Sequence, residues 1–199
     1  MRHIVIFDVG CVLTNYHLND YFLNLGYPED IAERLKKATQ LSKDWNEYDC
    51  GVLTDKEIRN RFKKNAPDLS EEIDRSLTHE YGLVSKKETS VPWVKSLKEK
   101  GYKTYVLSNF SDTTYHDCHD ALDFEKYMDG CFWSWQHHVI KPDDACFLTM
   151  LYEFHIDPND AVFIDDTKEN PMAAEKFGLK TVLYINQLQA ERDFLEALQ

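Results

Sequence analysis

Three aspartates stand where apolar runs stop. Ile4 to Phe7 is followed at once by Asp8, Val9 and Gly10, and Ala161 to Ile164 by Asp165 and Asp166. Short β-branched and aromatic runs of this kind read as buried parallel strands. Open α/β sheets build their sites at the carboxyl tips of such strands. Three acids delivered to one place repel one another unless a cation lies among them. Asp8, Asp165 and Asp166 thus point to a hard-metal site with one aspartate free for chemistry, and an all-oxygen donor set suits Mg²⁺. Two further segments carry polar groups at equivalent places. Val106-Leu107-Ser108-Asn109 ends an apolar run in a hydroxyl and an amide, and Lys141-Pro142-Asp143 sets a lysine just before a helix, the proline suiting its first turn.

The elements that must position these groups follow from periodicity. Strand-like runs lie at 3–8, 103–107, 130–134, 161–165 and 180–184. Helical stretches lie between the later ones. One begins at Ser90, with Trp93, Val94 and Leu97 at helical spacing, and stops at Gly101. Another spans about 143–155, with Phe147, Met150, Leu151 and Phe154 on one face, and a third spans about 169–177 before Gly178. Strand alternating with helix predicts an α/β fold, a Rossmann-like three-layer parallel sheet with right-handed crossovers. Residues 15–88 break the rhythm. They carry no strand signal, but helical ones at 18–25, 28–41, 43–50, 54–65 and from about Ser70. Thr54-Asp55-Lys56-Glu57 is a capping-box pattern. The expected organisation is a core of 1–14 and 89–199 with an inserted all-helical cap, 15–88, over the site. A helical domain of unrelated role is the alternative.

Composition narrows the class of function. The 199 residues carry a formal net charge of −12 spread along the chain, which disfavours nucleic acid and anionic membranes. An anionic substrate would need local positive charge from a metal or a lysine. The five cysteines, Cys11, Cys50, Cys118, Cys131 and Cys146, are odd in number and form no CxxC, which favours reduced thiols. Asp8 interrupts the apolar start, no small-residue cleavage site follows, and no segment approaches membrane-spanning length. The expectation is a cytoplasmic protein with no membrane or obligate protein partner.

In order and residue type the four segments resemble the four motifs of the haloacid dehalogenase superfamily. The likeness covers the whole chain, and is greatest to the small-capped phosphatases related to glucose-1-phosphate phosphatase and to the N-terminal phosphatase domain of epoxide hydrolases. It implies a Mg²⁺-dependent phosphomonoester hydrolase acting on a small phosphorylated metabolite, such as a sugar phosphate. On that likeness Asp8 would be the nucleophile, giving an aspartyl-phosphate that water hydrolyses. Ser108 would hold a phosphoryl oxygen, with Asn109 close by, and Lys141 would offset the charge of nucleophile and phosphoryl group. Asp166 would be the principal metal ligand, with Asp165 an alternate or supporting one. Asn170 falls in the supporting position, and the Gly10 carbonyl would join Asp8 in the metal shell.

One position departs from the pattern. Most phosphatases of the superfamily have a second aspartate, the general acid and base, where this chain has Gly10. Two alternatives therefore stay open: a haloacid dehalogenase, which needs no proton donor there, and a catalytically weak binding or regulatory protein. Asn15, Tyr16 and His17 at the cap hinge could supply a substitute proton path, His17 being best suited by acidity. Other features have dull readings beside functional ones. His116 and His119, with Cys118 between them, could share a helix face as zinc ligands or be a surface pair, and His137 and His138 could line the site mouth or a loop. Trp45 and Tyr48 could touch substrate or pack in the cap. Of Trp133 and Trp135, one belongs in the core.

Overall fold

The computed structural model describes residues 3–197. The chain opens with strand β1 (Ile4–Phe7) and a short strand β2 (Thr14–Tyr16), then five helices: α1 (Tyr21–Asn24), α2 (Glu29–Ala38), α3 (Asp44–Cys50), α4 (Asp55–Asn65) and α5 (Ser70–Ser76). A strand β3 (Val84–Lys86) returns from them. Strands and helices then alternate: α6 (Ser90–Glu99), β4 (Lys103–Ser108), α7 (Asp112–Asp117), β5 (Gly130–Trp133), α8 (Ser134–His137), α9 (Asp144–Glu153), β6 (Ala161–Asp165), α10 (Glu169–Ala174), β7 (Lys180–Leu183) and α11 (Gln187–Ala197).

The main sheet is parallel throughout, in the order β5-β4-β1-β6-β7. Side chains alternate across it. Val5, Phe7, Val106, Val162 and Ile164 face Trp93, Val94 and Leu97 of α6 and Phe194 of α11. Ile6, Leu107 and Phe163 face Phe147 and Met150 of α9 and Ala174 of α10. Both faces are covered, which is why the strands read as unbroken apolar runs. The first of these cores is continuous with that of the helical insert through Phe22, Leu35, Phe62 and Ile73.

Register explains how the site assembles. Phe7 pairs with Val106 on one side and with Ile164 on the other, and the Asp8 amide donates to the Ile164 carbonyl at 2.9 Å. The residues that end β4 and β6 or follow β1, namely Ser108, Asp165 and Asp8, are therefore lateral neighbours.

Two expectations are corrected. Residues 15–88 are not free of strand: β2 and β3 pair antiparallel, Asn15 opposite Ser85, and join the insert to the core. Three-residue strands are too short to display the alternation that sequence periodicity relies on. Pro142 is not in the first turn of α9, which begins at Asp144 with Asp143 as its N-cap residue. The turn after β1 takes its left-handed residue at Cys11 (φ 58°). The Thr54 capping box forms as the sequence predicts, with Glu57 reaching back to the Thr54 amide at 2.9 Å.

Candidate active site

Asp8 and Asp165 are bridged by one buried lysine. Lys141 Nζ donates to Asp8 Oδ1 and to Asp165 Oδ2, each at 2.6 Å, and Ser108 Oγ donates to Asp8 Oδ1 at 3.1 Å. The lysine is 4 % exposed and Asp165 is fully buried. Asn109 pins the lysine's backbone from both sides, its Nδ2 donating to the Lys141 carbonyl at 2.9 Å and its Oδ1 accepting the Lys141 amide at 2.8 Å. Asp165 accepts further bonds from the Thr167 amide at 2.8 Å and from Asn170 Nδ2 at 3.0 Å. Asn170 thus supports Asp165 rather than Asp166. The adjacent acids differ accordingly: Asp165 is saturated by protein donors, whereas Asp166 is the most accessible of the three.

Oxygens of Asp8, Asp165 and Asp166 lie within 4.8 Å of one another, and no other group of three acids, histidines or cysteines among the described residues converges in this way. The electrostatics are those of a site short of positive charge. Burial, helped by Asp165 and Asp166, pushes Asp8 up to about 7 against the pull of Lys141. Burial and Asp165 also raise Asp166. Burial works against the Lys141 ammonium, yet Asp165 and Asp8 outweigh it and hold the lysine above its ordinary value. A divalent cation among the three acids would relieve the remaining excess of negative charge, and carboxylate oxygens with the Gly10 carbonyl are hard donors suited to Mg²⁺. That carbonyl already accepts the Val12 amide at 2.6 Å, which leaves it one lone pair for a ligand.

Above this floor lies a cavity of about 450 Å³. Asp8, Gly10, Asn109, Lys141 and Asp166 form its base, and the insert supplies the roof through Gln40, Trp45, Asn46 and Asp49. Trp45 does both things open to it: it walls the cavity and packs edge-on against Tyr48 at 5.1 Å between ring centres. Tyr48 packs against Phe62 in the insert. At the hinge, Tyr16 reaches the cavity wall, but the His17 ring bonds Ser85 Oγ at 2.7 Å across the ribbon, away from the proton path expected of it. His116 and His119 are drawn to Asp112 and Glu125 and do not converge with Cys118. His137 stacks on Phe132 and His138 bonds the Cys50 carbonyl. Trp133 is the core tryptophan and Trp135 is half-buried. All five cysteines are free thiols.

Several contributors gave no motif. Lys87 Nζ holds the turn after Asp8 by donating to the Cys11 and Val12 carbonyls at 2.8 and 3.1 Å. Gln40 and Asp49 lie in helical sequence that looks like ordinary surface. One signal was available: Asp49 is in the last turn of α3, where the helix dipole disfavours an acid.

Comparison with known proteins gives the family. The family model of haloacid dehalogenase-like hydrolases matches residues 3–178, and the chain belongs to that family. Among relatives, a drimenol cyclase from Aspergillus calidoustus is 25 % identical over 197 residues, covering 96 % of this chain and 36 % of the relative. This chain likewise spans only 30 % of the bifunctional epoxide hydrolase 2 of Mus musculus. A sesquiterpene phosphatase from Aspergillus oryzae is 21 % identical, covering 87 % of this chain and 85 % of the relative. Solved structures share the fold. A haloacid-dehalogenase-family enzyme from Bacteroides thetaiotaomicron, crystallised with magnesium and inorganic phosphate, gives a TM-score of 0.70 at 23 % identity, covering 92 % and 93 % of the two chains. An L-2-haloacid dehalogenase from Xanthobacter autotrophicus gives 0.64 at 16 %, covering 98 % and 83 %. Among the described residues no helix is long and apolar enough to cross a membrane.

Proposed function

We propose that this hydrolase removes the phosphoryl group from a small phosphorylated metabolite with Mg²⁺ as cofactor, through an aspartyl-phosphate on Asp8. The observation that carries the reading is the buried Asp8–Lys141–Asp165 bridge beneath an open cavity, with a third acid, Asp166, beside it. Asp8 is the nucleophile. Ser108 Oγ and Lys141 Nζ, both bonded to Asp8 Oδ1, are within reach of a phosphoryl group docked against that carboxylate. Asp165 and Asn109 orient the lysine. Asp8, Asp166 and the Gly10 carbonyl are the Mg²⁺ ligands, and Asn170 supports through Asp165. Bound there, Mg²⁺ supplies charge neutralisation for the phosphoryl oxygens. Positioning and electrostatics then carry most of the rate, as phosphoryl transfer requires. Residues 1–14 and 89–199 are the catalytic core and 15–88 the cap that selects substrate, and we assign the protein to the cytoplasm on its free thiols.

A relative that is a sesquiterpene phosphatase and a neighbour holding magnesium and phosphate support the reaction class. The roof favours a different leaving group. Asp49 lines the cavity with a carboxyl that an apolar chain would leave unpaired, so a hydroxyl-bearing substrate such as a sugar phosphate fits better. The dehalogenase alternative leaves the Asp8–Asp165–Asp166 cluster without a purpose, since displacing halide needs no Mg²⁺. Hydrolysis of p-nitrophenyl phosphate with and without Mg²⁺, run beside chloride release from 2-chloropropionate, tests the reading. Mg²⁺-dependent phosphate release is expected. Chloride release alone would make the chain a dehalogenase, and neither activity would leave a binding protein.

A further inference from the structure

The floor of the cavity has no acid at residue 10, and the roof has one too many. Gly10 has ordinary space about it: a Cβ there would meet only Asp8 Oδ2 within 4 Å, at 3.8 Å, and its φ is not left-handed. A carboxyl at that position would therefore be tolerated, and the chain does without it. Across the cavity Asp49 is only 9 % exposed, and no described residue donates a hydrogen bond to its carboxyl. Beside it, Gln40 is 8 % exposed, lines the same cavity, and has both amide atoms buried without a partner. Buried polar groups are normally bonded, and a carboxyl left without a donor beside a cavity marks where a ligand completes it.

Asp49 is also fixed to the catalytic floor. Ser134 Oγ donates to the Asp49 carbonyl at 2.6 Å and accepts the Phe110 amide at 2.8 Å, and Phe110 directly follows Ser108 and Asn109. His138 Nδ1 lies 3.1 Å from the Cys50 carbonyl. Gly51, at φ 68°, sits so close to α8 that a Cβ would come within 2.7 Å of the Trp135 carbonyl oxygen. Three consecutive residues at the end of α3 are thus clamped onto the segment after β5.

We propose that Asp49 protonates the leaving-group oxygen as the phosphoryl group passes to Asp8, and afterwards takes the proton of the water that hydrolyses the aspartyl-phosphate. The proposal rests on the phosphatase reading above. In the first half the ester P–O bond breaks with its electron pair on the ester oxygen, which takes the Asp49 proton while Asp8 bonds to phosphorus. In the second half water enters where the alcohol left, its proton passes to Asp49, and the bond between phosphorus and Asp8 breaks. One group on the leaving-group side serves both halves because both displacements are in line through the same position. The protonation state agrees: burial foremost, then the charge of Glu80, holds the Asp49 carboxyl well above the usual range, against the pull of Lys141.

The test is leaving-group dependence under single-turnover conditions. An alkyl phosphate needs its oxygen protonated and dinitrophenyl phosphate does not. Asp49→Asn should lose about 10²- to 10⁴-fold with the alkyl ester and less than about tenfold with the aryl ester. Asp49→Glu should recover part of the alkyl-ester rate. Equal losses with both esters in a folded Asp49→Glu protein, or no loss in Asp49→Asn, would overturn the assignment. Absence of phosphate release from either ester by the wild type would remove the phosphatase reading and the donor role with it.

Discussion

The two walls of the cavity are built on opposite principles. On the floor the lysine and the deepest acid are saturated: Lys141 bridges Asp8 and Asp165, Asp165 takes further bonds from Thr167 and Asn170, and Asn109 locks the lysine's backbone. On the roof several buried polar groups have no partner. Gln40 lacks partners on both amide atoms, Asp49 lacks a donor, and behind it Glu80 keeps one carboxylate oxygen, Oε1, unbonded. A saturated wall holds a fixed group in one geometry. An unsatisfied wall costs stability until something variable fills it. The contrast assigns the invariant phosphoryl chemistry to the sheet tips and the choice of leaving group to the insert.

The sharpest way to break this contrast is at its centre. Asp8→Asn should fold normally yet fall to background turnover, because an amide does not attack phosphorus; retention of even a tenth of the activity would remove Asp8 as nucleophile. Removing the shared cation should be costly to the whole molecule. Lys141→Met leaves Asp8 and Asp165 facing each other without compensation, and a loss of about 3–5 kcal/mol is expected in urea unfolding. The two neighbouring acids should then separate cleanly. Asp166→Ala should shift the Mg²⁺ requirement to higher concentration with little change in unfolding. Asp165→Ala should destabilise the fold and misorient Lys141.

On the roof the expected effects are smaller and differ in sign. Burial pushes Glu80 up to about 7, partly offset by hydrogen bonds from Thr114, Tyr48 and Ser111. Its protonated form is favoured in the folded state, so its contribution is complete below the ordinary glutamate range and is lost as pH rises through about 7. Glu80→Gln should flatten that dependence by an amount of order 3 kcal/mol between pH 4 and pH 8, read from urea unfolding at the two values. Gln40→Met should raise the stability of the protein by about 1 kcal/mol, because it removes two buried amide atoms that have no partner. A destabilised Gln40→Met protein in urea unfolding would mean that the amide is satisfied in solution.

Sequence and structure meet best where one residue type must occupy one place. The five strands and the helices between them were legible because both sheet faces are buried, and the acids at their tips interrupt apolar runs too abruptly to be missed. The hinge ribbon was not legible, since Thr14–Tyr16 and Val84–Lys86 are each shorter than one readable alternation. The roof was invisible for a different reason. Asp49 occurs in a polar helical stretch, and only the docking of Asp49, Cys50 and Gly51 against Ser134, His138 and Trp135 turns it toward the cavity. His17 misled because acidity was weighed without direction: a histidine beside the first motif is close in sequence, but its ring belongs to Ser85.

The central claim is that phosphorus passes through Asp8. Hydrolysis of an isotopically chiral phosphorothioate monoester in isotopically labelled water measures this directly, from the configuration of the released thiophosphate. Two successive in-line displacements, first by Asp8 and then by water, predict overall retention at phosphorus. Inversion would mean that water attacks the ester directly, and the account of Asp8 as nucleophile would be contradicted.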